Sequence, residues 1–186
     1  MGGELLKEEI ENIPDMYKKI FVESGTYKGD SAYLAKNYFN KVITIEICQE
    51  LFNESSNRLK DFSNIECIFG DSVQVLKQEH VYEQYKKGGV FFLDGHISGH
   101  DSSFSSDYPV PLLNELRVLS SKPLGPSLII IDDVRLWSQG HWNDVNKKNI
   151  IECFKPLDVK CAYVLNDRYW IYTNEIVDYQ SSPESE

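Results

Sequence analysis

The chain has 186 residues, a formal net charge of −10, and 41% hydrophobic and 12% aromatic residues. That is enough apolar material for one domain with a sizeable core, and too much for a disordered chain. The negative charge weighs against a nucleic-acid backbone or an anionic membrane as partner, because both call for clustered Lys and Arg.

The first residues, MGGELLKEEI, are acidic and carry no apolar stretch, so no secretory signal is expected. No apolar run is long enough to span a bilayer. Cys48, Cys67, Cys153 and Cys161 form no C-x-x-C pair, and buried free thiols in a reducing compartment are expected. A soluble, cytoplasmic protein follows from these readings.

The first strand is predicted at KIFVES (19–24), followed by a glycine loop and a helix at DSAYLAKNYF (30–39). A second strand, KVITIEI (41–47), leads to a helix over 48–62, and a third, NIECIFG (64–70), to a helix over 71–87 that Ser72 can cap. GVFFLDG (89–95) reads as a strand, VPLLNELRVLSS (110–121) as a helix and SLIIIDDV (127–134) as the most apolar strand. A last helix over 144–154 precedes two strands, CAYVLND and RYWIYTN, joined by a tight turn at Asn166-Asp167. Apolar strands alternating with helices imply a parallel α/β sheet covered on both faces, with an antiparallel addition at the end. Residues 1–180 read as a single domain, and the polar tail 181–186 as disordered. The stretch from His96 to Pro109 is a long loop after a strand's C-terminal end, where ligands bind in open α/β sheets.

The first loop has its glycines spaced G-x-x-x-G, at Gly25 and Gly29. It is neither a dinucleotide fingerprint nor a P-loop. Taken singly, each glycine is an ordinary turn residue. Acidic residues at successive strand ends add to the signal: Glu23 before the loop, Glu46 ending the second strand, and Asp71 after the third. Glu46 suits the two hydroxyls of a ribose, and Asp71 an adenine amino group or a helix cap. An acidic lining repels a pyrophosphate and suits a cationic nucleoside such as S-adenosylmethionine.

The run of FVESGTYKG, TIEI and FGDS, in that order, resembles the class I S-adenosylmethionine-dependent methyltransferases over nearly the whole chain. The resemblance implies a Rossmann-like doubly wound sheet of seven strands in the order 3-2-1-4-5-7-6, the last antiparallel. It also implies that S-adenosylmethionine is bound by Glu23, Gly25, Thr26 and Gly29, by Glu46, and by Asp71 with Ser72. The first loop departs from the commoner G-x-G-x-G spacing.

A second acidic cluster stands in FLDGH (92–96) and IIIDDV (129–134). Asp94, Asp132 and Asp133 come together above adjacent strands in such a sheet, and three carboxylates in one place need a proton or a cation. Oxygen ligands suit Mg²⁺ or Mn²⁺. Adjacent aspartates on a continuing strand point to opposite faces, so one of them can equally be a loop cap. The arrangement is similar to that of metal-dependent O-methyltransferases acting on macrolide sugars and catechols. It implies methyl transfer to a hydroxyl of a small polyol, preferably a sugar or glycan end, with Asp94 or His96 as base. His100 and His141 are further basic candidates, and Trp137 and Trp142 either stack on the acceptor or belong to the core. The competing readings are an NAD-dependent oxidoreductase, because Glu46 also suits that ribose, and a non-catalytic ligand-binding domain of a larger glycan-building protein. Oligomeric state is not legible in the sequence.

Overall fold

The computed structural model describes residues 3–96, 110–153 and 159–174. Seven strands form one sheet: β1 (Ile20–Ser24), β2 (Lys41–Glu46), β3 (Ile65–Phe69), β4 (Val90–Leu93), β5 (Leu128–Ile131), β6 (Val159–Leu165) and β7 (Arg168–Thr173). Their order is 3-2-1-4-5-7-6. Strands β1 to β5 are parallel, while β7 runs antiparallel between β5 and β6. This is the Rossmann-like sheet that the sequence leads one to expect.

The central strands are apolar on both faces because helices cover both faces. On one side Val22, Ile45, Phe91, Leu93, Ile129 and Ile131 pack under α4 (Ser72–Lys77), α5 (Glu79–Tyr85), α6 (Leu112–Leu119) and α7 (Lys147–Cys153). On the other side Phe21, Val42, Phe92 and Ile130 meet α2 (Asp30–Ala35), α3 (Gln49–Leu59) and the segment around α1 (Lys7–Glu11). The N-terminal α1 has no counterpart in the sequence reading. It is five residues long, and Leu5, Ile10 and Ile13 around it are buried.

Several local expectations change. The helix expected over 71–87 is two helices, broken at Gln78, whose ψ of 130° is extended. The first of them is capped by Asp71 and not by Ser72: the Asp71 carboxylate accepts from the Gln74 N–H at 3.1 Å. The closing hairpin turns at Asn166 and Asp167, both with positive φ (51° and 62°), as a two-residue hairpin requires. Both outer strands are poorly covered: β6 is exposed along its length and β3 is only half-buried. Cys161 on β6 is therefore exposed and Cys67 on β3 half-buried, while Cys48 and Cys153 are buried as expected; none of the four is in a disulfide. Among the described residues, no helix is long and apolar enough to cross a membrane. The tail 181–186 lies outside the described residues.

Candidate functional site

In a doubly wound sheet, ligands bind at the C-terminal edge, where the strand order reverses. Here the order reverses between β1 and β4, and every acidic residue singled out in the sequence lies along that edge.

The β1 loop is shaped by its glycines. Gly25 has φ +85°, and a Cβ there would meet the Asp94 carbonyl oxygen at 2.6 Å. Only glycine lets the β1 and β4 loops approach this closely. Gly29 has φ +82° at the start of α2, where a Cβ would strike Leu59 at 2.9 Å. Thr26 is buried, and its hydroxyl pairs with that of Thr44 at 2.6 Å. Thr44 in turn donates to Glu23 at 2.6 Å. Burial raises the Glu23 carboxyl to about 8, against the Thr44 hydrogen bond and with help from the charges of Asp94 and Glu46. Glu46 ends β2 and is buried, its two oxygens accepting the backbone N–H groups of Tyr27 (2.9 Å) and Cys48 (2.8 Å). It thus fastens the β1 loop to the start of α3. Asp71 and Ser72 stand at the start of α4 along the same edge.

The second cluster differs in membership from the sequence expectation. Asp94, His96 and Asp133 each offer a ligand atom, and these atoms lie within 4.8 Å of one another. His96 Nε2 is 2.9 Å from Asp133 Oδ2, and its Nδ1 is 3.3 Å from Asp94 Oδ1. Asp132 does not join them. Its carboxylate faces the Arg168 Nε at 3.0 Å and accepts the Gly3 N–H at 3.1 Å. The two aspartates diverge because β5 ends at Ile131 and Asp133 turns into the left-handed region, with φ 59°. Arg135 pairs with Asp133 from the solvent side.

Electrostatics follow from this packing. Burial raises Asp94 above the usual carboxylate range, opposed by His96. Burial and the Asp94 charge raise Asp132 to about 6, against the pull of Arg168. Burial also acts to raise Asp133, but His96 and Arg135 outweigh it and hold it low. Burial would lower His96, yet Asp133 and Asp94 outweigh it and raise the imidazole to about 10. With no cation bound, His96 is thus protonated at neutral pH and supplies the positive charge that the carboxylates require. Trp142, buried, meets the His96 ring edge to face at 5.1 Å. Trp137 stands edge to face with Tyr169 at 5.6 Å. His141 is exposed, and His100 with the rest of the loop over 97–109 lies outside the described residues.

Three participants were not found from the sequence. Glu115 on α6 is buried at 1% exposure beside Ser24 and Ser72. Its place in the apolar stripe of LLNELRVL, one residue from Leu116, was a readable signal. Arg168 is buried between Asp132, Glu9 (2.6 Å) and the Glu4 carbonyl (2.7 Å). Gly3 sits against Asp94, where a Cβ would lie 2.7 Å from Oδ2. Neither Arg168 nor Gly3 has a sequence signature, because only chain folding brings the N-terminal segment to this edge.

Solved structures share this fold. A putative rRNA methylase from Clostridium thermocellum is 14% identical, with a TM-score of 0.60 over 94% of this chain and 98% of that one. An rRNA methylase from Streptococcus thermophilus is 18% identical, with a TM-score of 0.53 over 90% and 92%. Fibrillarin from Aeropyrum pernix, solved with natively bound S-adenosyl-L-methionine, is 14% identical, with a TM-score of 0.51 over 87% and 68%. The fold is that of the class I methyltransferases. No family model and no curated protein matches the chain. These neighbours overturn the expectation that nucleic acid is excluded as a partner. A net charge of −10 sums the whole surface, whereas recognition depends on the charge around one site, so the sum does not bar a fold used by rRNA methylases.

Proposed function

We propose that this single domain is an S-adenosylmethionine-dependent methyltransferase that places its methyl group on a hydroxyl oxygen of a polyol, a sugar or glycan end preferred. The observation that carries the reading is the pairing of two sites on one sheet edge: the β1 loop with Glu46, and the Asp94–His96–Asp133 cluster one strand further on. Glu46 receives the ribose, Gly25, Thr26 and Gly29 shape the loop for the methionine part, with Glu23 beneath them, and Asp71 with Ser72 flanks the base. The bound cofactor in one structure of this fold supports the assignment.

The two carboxylates suit a hard divalent cation, Mg²⁺ or Mn²⁺, and the imidazole, a softer ligand, can join them only once His96 gives up its proton. When bound, such a cation draws charge from a hydroxyl oxygen and eases loss of its proton. Asp132 is left out of the set, because its charge is already matched by Arg168. Asp94 is the group placed to take the acceptor's proton: it follows β4 directly, its backbone touches the β1 loop, and its Oδ1 faces His96 Nδ1 at 3.3 Å. His96 bridges Asp94 and Asp133 and orients both; while protonated it cannot serve as the base. Trp142 shields this group from water on one side.

RNA is a second acceptor class, favoured by the rRNA methylases of like fold. Its ribose presents the same hydroxyl chemistry. One experiment separates these readings: labelled S-adenosylmethionine with panels of sugars, catechols and rRNA fragments, each with and without EDTA. Transfer to sugars that EDTA abolishes and Mn²⁺ restores supports the metal-assisted polyol reading. Transfer only to RNA replaces the acceptor, and full activity in EDTA removes the cation. Cation binding by the unliganded protein, read by calorimetry and lost in Asp133→Asn, tests the ligand set apart from activity.

A further inference from the structure

At the point where the strand order reverses, two buried oxygens have no hydrogen-bond partner among the described residues: Glu115 Oε1 and Ser24 Oγ. Both side chains are 1% exposed. Ser24 ends β1, and Glu115 reaches the same place from α6. Between them passes Gly95, just after β4. A Cβ at Gly95 would lie 3.2 Å from Ser24 Oγ and 3.5 Å from Glu115 Oε1. Glycine at position 95 keeps a further side chain out of the space beside these two oxygens. Ser72, at the start of α4, is the remaining polar neighbour of Glu115.

Buried acceptors without donors are costly, about 1–3 kcal/mol each, and native proteins rarely keep them without a purpose. The carboxylate oxygen accepts and the serine hydroxyl can both accept and donate, so a group with two donors can satisfy the pair. A planar amino group has two N–H bonds and no charge. It satisfies a carboxylate and a hydroxyl together.

We propose that Glu115, with Ser24, binds the exocyclic amino group of the cofactor's adenine and makes the site specific for adenine. This rests on the cofactor reading given above. With the ribose at Glu46 and the methionine part at the β1 loop, the remaining part of the cofactor is the base, and it extends toward Ser72. Glu115 lies between Ser72, on the side of the base, and Ser24, which adjoins the β1 loop. Asp71, the acid that the sequence offers for this role, uses one carboxylate oxygen, Oδ1, to cap α4.

The test uses two nucleosides that lack the amino-acid end: 5′-methylthioadenosine, and 5′-methylthioinosine, in which an oxo group replaces the amino group. Calorimetry on the full chain gives both affinities, with S-adenosylhomocysteine as reference. The parent is expected to prefer the adenosine compound by about 10- to 100-fold, the value of hydrogen bonds to a charged or buried acceptor. Glu115→Gln should collapse this preference to about threefold or less, because a glutamine amide can accept from the amino group or donate to the oxo group. Ser24→Ala, a smaller change, should reduce it in the same direction. Melting curves establish that each variant folds. Equal affinities in the parent, or an undiminished preference in both variants, would overturn the proposal. So would a Glu115→Gln variant that weakens S-adenosylhomocysteine but not methylthioadenosine, since the carboxylate would then serve the amino-acid end. If the parent binds neither S-adenosylhomocysteine nor methylthioadenosine, the cofactor reading falls and this proposal with it.

Discussion

Replacing Glu23 by glutamine should change how stability depends on pH. Glu23 is fully buried, hydrogen-bonded to Thr44, and faced by the carboxylates of Asp94 and Glu46. Its carboxyl is raised from 4.5 to about 8 in the folded protein, chiefly by burial. Below pH 4.5 the group is protonated in both folded and unfolded chains. Between 4.5 and 8 the unfolded chain is ionised while the folded one keeps its proton, so folding takes up a proton and stability falls as pH rises. Above about 8 both are ionised and the loss is complete. Each pH unit in this window is worth about 1.4 kcal/mol, so the contribution from Glu23 falls by about 3 kcal/mol between pH 5 and 7. Glutamine keeps the shape and still accepts from Thr44, but it cannot ionise. Urea unfolding of both proteins at half-unit steps from pH 5 to 7.5 isolates Glu23, because other titrating groups cancel in the difference. The variant should gain on the parent by about 1.4 kcal/mol per pH unit. A difference that stays flat across this range would mean that Glu23 is ionised in the folded protein, and the reasoning about its burial would be wrong.

Glu46→Ala should abolish the rise in melting temperature produced by S-adenosylhomocysteine; an unchanged rise would displace the ribose from β2. Arg168→Met leaves Glu9 and Asp132 buried without their cation and should cost about 3–5 kcal/mol in urea unfolding. Adding Asp132→Asn should recover part of that loss, and strict additivity of the two changes would refute the coupling. Asp71→Ala removes the α4 cap and should cost about 1 kcal/mol, while Ser72→Ala should leave the cap energy intact.

The sequence by itself determined the sheet. Runs such as IFVES, KVITIE and LIII are mostly apolar with no strict alternation, and they form buried parallel strands because helices must cover both faces. It also placed the acidic residues on one edge, since strand ends and loops follow from chain order alone. Helix breaks escaped it: the apolar period continues through Gln78, and nothing in the pattern says that the backbone extends there. Tertiary structure decided which carboxylates act together. Asp132 and Asp133 are neighbours in sequence, but the left-handed turn at Asp133 sends one to His96 and the other to Arg168. The sequence could not rank them, because the deciding partners, Arg168 and the segment at Gly3, stand 36 residues after and 129 residues before Asp132. Charge matching across such distances depends on packing, and packing exists only once the chain has folded.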